Sequence, residues 1–116
     1  MISVQTYWAN IYVGLCPGYN TRLYNPEASL FTIHGECQNY CNKVKLGLTI
    51  TNTKFIYVNG SEDGVIIGLI NYPRFPSTPE QIQEKAIELA SILKEKLKQE
   101  RVSVVFPDKT IMLGGI

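Results

Sequence analysis

The chain of 116 residues is 45% apolar and 18% charged, with seven tyrosines, a composition that folds around one modest core and excludes an intrinsically disordered chain. Its formal charge of +1 supplies no field to hold duplex nucleic acid, while a small anion needing only local donors stays within reach. The start "MISVQTYWANIYVGL" lacks a basic leader and a cleavage pattern, and no apolar run approaches the roughly 20 residues that span a bilayer, so a single cytoplasmic domain over 1–116 without membrane attachment is expected.

"YWANIYVGL" is aromatic and β-branched and is stopped by the turn signal "CPGYN", which predicts a first strand. Residues 19–31, "YNTRLYNPEASLF", show no clear period and read as a long loop. From Thr32, a candidate N-cap, the spacing of Ile33, Cys37, Tyr40, Cys41 and Val44 predicts an amphipathic helix. "LGLTITNTKFIYVNG" reads as one strand bent near Asn52 or as two, ending at the Asn59-Gly60 turn, and "GVIIGLINY" as a buried central strand. Thr78, Pro79 and Gln81 then form a capping box with proline at the first helical position, followed by the apolar stripe Ile82, Ala86, Leu89, Ala90, Leu93 and Leu97. "RVSVVF", a Pro107-Asp108 turn and "TIML" close the chain as a hairpin. The predicted fold is α+β, a small antiparallel or mixed sheet covered by two helices, in the order β-α-β-β-β-α-β-β.

His34, Cys37 and Cys41 share a helical face, but positions seven apart lie about 10 Å apart along the axis, too far for one zinc ion. No metal or cofactor is expected. Three cysteines without an export signal predict reduced thiols, and nothing beside them marks one as activated. Glu62 and Asp63 in "GSEDG" read as solvated turn acids, since consecutive side chains tend to point apart. Lys94, Lys96 and Lys98, interleaved with Glu95 and Glu100, read as a solvated helix face.

"NYPRFPSTPEQI" combines several weaker signals. A helix start offers free backbone N–H groups, Arg74 a forked cation for phosphate, and Phe75 a face on which a base can stack, all held between prolines. Pro79 and Glu80 work against anion binding there, and the plainer alternative makes Arg74 a surface ion-pair partner and Phe75 a core residue.

The tracts "ANIYVGL", "PGY", "CQNYCNKVKLGLTITNTKFIYVNGSEDGVIIGLINYPRFPSTPEQI" and "RVSVVFPDKTIML" together resemble the first type of Thoeris anti-defence protein, a phage-encoded nucleotide sponge, over 9–113 and most distinctively over 53–90. The resemblance implies an α+β protein in an infected bacterial host that sequesters the glycocyclic ADP-ribose signal without degrading it. It implies homodimers with pockets at or near the interface, or hexamers that also hold cyclic trinucleotides. It further implies ligand-binding roles for Phe75 as a base-stacking ring, for Arg74 and Asn71 beside it, for Arg101 toward phosphate or ribose, and for Asp108 and Thr110 as polar neighbours. The family's asparagine early in the second helix has no counterpart here, where Glu84 and Lys85 stand.

The expectation is thus a ligand-sequestering homo-oligomer that is not an enzyme, in keeping with the lack of a nucleophile-base pair, metal site or acid-base dyad. The alternatives are a phosphodiesterase cleaving a cyclic nucleotide with Arg74, Arg101 and His34, and a scaffold using Phe75 and its tyrosines as an interface.

Overall fold

The computed structural model of the chain describes residues 1–17 and 25–114. Its elements are β1 (Trp8–Gly14), α1 (Pro26–Val44), β2 (Leu48–Tyr57), β3 (Gly60–Ile70), α2 (Pro79–Lys96), β4 (Val102–Val105) and β5 (Thr110–Leu113). The strands form one sheet in the order β2-β3-β1-β4-β5, and every neighbouring pair is antiparallel. The α+β architecture is therefore as expected, with the sheet antiparallel throughout. β1 takes the middle because Ile11 pairs with Ile67 of β3 on one side and with Val104 of β4 on the other; β3 is a central strand as expected, paired with β2 and β1.

Two stretches depart from the sequence reading. β2 is one strand, since β3 runs beside it without a break from the Leu48–Leu69 pair to the Tyr57–Gly60 pair, so that no division at Asn52 arises. The connection between them is Val58 and Asn59, with Asn59 in the left-handed region that asparagine tolerates at φ 59°. The helix expected from Thr32 begins at Pro26 instead. Asn25 is its cap, its side-chain oxygen accepting from the backbone N–H groups of Glu27 at 2.9 Å and Ala28 at 3.3 Å, with proline at the first position. The first turn docks through a polar contact, the buried Ser29 hydroxyl donating to the Leu15 carbonyl at 2.8 Å, so the apolar spacing starts only later. Of the expected loop, residues 19–24 lie outside the described residues, as does residue 18 before it.

α2 forms as its capping signals require: Thr78 Oγ1 accepts from the Gln81 N–H at 3.2 Å, and Gln81 Oε1 accepts from the Thr78 N–H at 2.9 Å. Its buried stripe packs against alternate residues of the sheet, Ile11 and Val13 of β1, Val65 and Ile67 of β3, Val102 and Val104 of β4, and against Ile33, Cys37 and Tyr40 of α1. Tyr40 ties the two helices together by donating to the Lys85 carbonyl at 3.3 Å. The intervening strand residues point to the opposite face, which no element of the described chain covers. No helix among the described residues is long and apolar enough to cross a membrane.

Candidate functional site

The open face is built by β3, where Gly60, Glu62, Gly64, Ile66, Gly68 and Ile70 alternate with the core residues. At Gly64 a side chain would collide with the Phe55 ring and would stand 2.8 Å from the Val13 carbonyl oxygen, so glycine lets that ring lie flat across the strand. Phe55 in turn meets Tyr12 of β1, with centroids 5.8 Å apart and planes tilted by 36°.

Glu62 folds down over a second glycine. A Cβ placed on Gly14 would lie 2.7 Å from Glu62 Oε2 and 3.0 Å from Gln99 Oε1. Gln99 is fixed in this pose by its Nε2, which donates to the Cys16 carbonyl at 2.7 Å. Among the described residues Glu62 forms no ion pair, unlike Asp63, which lies 3.5 Å from Lys54. Burial raises the Glu62 carboxyl above the ordinary carboxylate range. Its charge adds to the burial that raises the Cys16 thiol.

At the other end of the same face Tyr72 stands against the β2–β3 edge and encloses a cavity of about 330 Å³ with Gly47, Leu48, Thr49, Gly68 and Ile70. The floor is Gly68: a Cβ there would lie 2.7 Å from Thr49 Oγ1 and 3.3 Å from Asn10 Oδ1. Gly14 pairs with Gly64, four residues along β3 from Gly68, which puts the carboxylate and the cavity about 13 Å apart on one continuous surface.

Several residues expected to bind ligand gather at the cavity end. The Asn71 amide donates to the Gln5 carbonyl at 2.7 Å and accepts from the Ser77 N–H at 2.8 Å, and the Asn71 N–H donates to the Tyr7 carbonyl at 3.0 Å, so this residue clips the loop before α2. Arg74 lies 5.6 Å over the Phe75 ring, which packs 6.0 Å from Tyr72. It is thus Tyr72, three residues earlier, that faces the cavity. Asp108 accepts from the Tyr7 hydroxyl at 2.9 Å, and that hydroxyl accepts from Gln83 Nε2 at 2.6 Å. Thr110 begins β5 on the open face, opposite Val105, itself the partner of Asn10. Arg101 sits elsewhere: the β4–β1 register places it level with Gly14, about 20 Å along the sheet from Asn71, at the Glu62 end.

Sequence reading passed over Glu62, Asn10 and Tyr72. A signal for Glu62 was present, since Gly60, Glu62, Gly64 and Gly68 occupy one face at period two, but the glycines read as a turn. Burial, the neighbouring Cys41 and Glu36 push the Cys37 thiol up to about 12, and burial also raises Cys41. Among the described residues no group of three or more His, Cys, Asp or Glu could hold a metal ion.

No protein-family profile matches the chain, and no curated protein matches its sequence. Two solved structures match its shape. A phage SAM lyase in its apo state superposes with a TM-score of 0.76 at 18% identity, covering 94% of this chain and 89% of that one. A phage SAM lyase in complex with S-methyl-5′-thioadenosine superposes with a TM-score of 0.70 at 16% identity, covering 99% of this chain and 94% of that one. The chain thus shares its fold with phage proteins that act on a small molecule. This corrects the expectation that the protein is not an enzyme, since both matched structures are lyases. Neither matched structure is a Thoeris sponge, and both share only the fold with this chain.

Proposed function

We propose that the chain is a phage anti-defence enzyme that binds S-adenosylmethionine along the open sheet face and splits it to S-methyl-5′-thioadenosine. The observation that carries this reading is Glu62, a partly buried carboxylate without an ion-pair partner among the described residues, one ligand-length from an apolar cavity. A partly desolvated carboxylate gains when a cation comes beside it, and S-adenosylmethionine brings both an ammonium and a sulfonium. A lyase adds no water, so the electrons that replace the broken S–Cγ bond come from the substrate. Its own carboxylate attacks Cγ and closes a five-membered ring, while sulfur departs with the bonding pair as a neutral thioether. Glu62 holds the ammonium through this step and orients the chain for attack. The apolar surroundings supplied by Tyr12 and Phe55 suit a step in which the charges on sulfur and carboxylate cancel.

The test is incubation with S-adenosylmethionine and chromatographic separation of the nucleosides. Many equivalents of S-methyl-5′-thioadenosine per protein are expected, falling by about 100-fold or more in Glu62→Gln. No product, or full activity in that variant, overturns the reading. Exposed Tyr57, Ile70 and Met112 on the sheet's outer side favour a homo-oligomer as the working unit.

A second ligand is favoured by one observation, the Arg74 guanidinium over the Phe75 ring beside the cavity. Glycocyclic ADP-ribose shares the adenosine half, and Arg74 could pair with its phosphates. The same incubation with that signal supplies the comparison, and unchanged binding in Arg74→Ala removes it.

A further inference from the structure

We infer that the cavity between Tyr72 and the β2–β3 edge is an adenine-base subsite read by the side-chain amide of Asn10. The inference rests on the proposal of an adenosine-bearing ligand and assigns its base. Four features converge. The volume of about 330 Å³ lies within the small-ligand range and suits a base better than a whole nucleotide. The lining is apolar, from Leu48, Ile70 and the Tyr72 ring, which offers a stacking surface. Gly68 keeps the floor low, so that a flat ring can approach the strand. Finally, the Asn10 amide stands over Gly68 and has no hydrogen-bond partner among the described residues.

An unpartnered amide beside an apolar cavity is a reader of paired donor and acceptor groups. Adenine presents an N6 amino donor next to the N7 acceptor, matched by the amide oxygen and NH₂ of asparagine. Hypoxanthine and guanine carry an oxygen in place of that amino group, so on this edge two acceptors face the amide and one contact becomes repulsive. Thr49 Oγ1, on the other side of Gly68, completes the polar rim with a hydroxyl that donates or accepts. With the base here, the ribose and its 5′ substituent lead across Ile66 and Gly64 toward Glu62, the direction the proposed cleavage requires.

The test is calorimetric titration of the intact chain with adenosine and with inosine. The parent is expected to favour adenosine by about 5- to 150-fold, the value of one bidentate base contact. Asn10→Ala should erase that preference, and Asn10→Asp, which keeps the shape and removes the donor, should lower adenosine affinity as well. Tyr72→Ala should weaken both nucleosides alike. Equal binding of the two by the parent, no binding of adenosine, or a preference that survives both Asn10 variants overturns the subsite. Neither titration needs turnover. Asn10-dependent adenosine binding without cleavage of S-adenosylmethionine therefore sinks the proposed activity alone, and cleavage with unchanged KM in Asn10→Ala sinks the subsite alone.

Discussion

The two faces of the sheet use the same strands for opposite ends. On the helix side Val65 and Ile67 are fully buried and Leu69 nearly so, in one continuous core with α1 and α2. One residue along, Gly64, Ile66 and Gly68 form a floor over which Phe55, Glu62 and the Asn10 and Thr49 side chains are arranged. The first face is saturated with apolar contact. The second keeps a partly desolvated carboxylate, an amide with no hydrogen-bond partner among the described residues, and a cavity, none of which belongs to the core. On the proposed reading, core packing and binding are divided by the period-two alternation of a strand, with no need for separate segments.

Exchanging neighbours across that division is the strongest way to break it. Ile67→Ala leaves a cavity in the closed core and is expected to cost about 2 to 5 kcal/mol, whereas Ile66→Ala on the open face should cost under about 1.5 kcal/mol. Urea denaturation of both variants checks this, and equal costs would mean that the open face is as tightly packed as the core. A smaller effect is expected at Asn71. Its amide makes two hydrogen bonds to backbone groups, so Asn71→Ala should cost about 1 to 3 kcal/mol, with adenosine affinity reduced only as far as the Tyr72 loop loosens. A large loss of affinity with unchanged melting would instead make Asn71 a ligand contact, as the family resemblance implies.

These positions also mark where the sequence was readable. α2 could be read to the residue because capping is local: Thr78, Pro79 and Gln81 lie within one turn and satisfy each other. Asn25 and Pro26 carried the same signal for α1, but the first buried residue there is Ser29, held by a hydrogen bond to a carbonyl 14 residues away in sequence, which no apolar period reveals. The site was harder because it depends on strand order. Nothing local places the first strand in the middle of the sheet, and only that placement brings Asn10 beside Gly68 and Gly14 beneath Glu62. The Arg74-Phe75 stretch lies at the cavity end of the sheet, yet the ring that lines the cavity is Tyr72, with Phe75 packed against it.

The smallest expected effect has the opposite sign and tests the open face most directly. Burial raises the Glu62 carboxyl in the folded chain, so the folded state binds that proton more tightly than the unfolded one. Its contribution to stability is full below the ordinary carboxylate value and is lost as pH rises through the raised folded value. At pH 7 the charged form carries the whole penalty. Glu62→Gln keeps the shape and removes the charge, so this variant should melt slightly higher than the parent at pH 7, with the gap closing once the parent carboxyl is protonated. Ligand binding runs the other way: a cation beside Glu62 favours the charged form, so affinity for S-adenosylmethionine should rise with pH through the same window and be flat in the variant. Paired melting curves and titrations between about pH 3.5 and 8 cover both carboxyl states, given an ordinary value of about 4.3. A parent that is the more stable of the two at pH 7 would show a carboxylate already satisfied by its surroundings, and the proposed cation site on the open face would lose its basis.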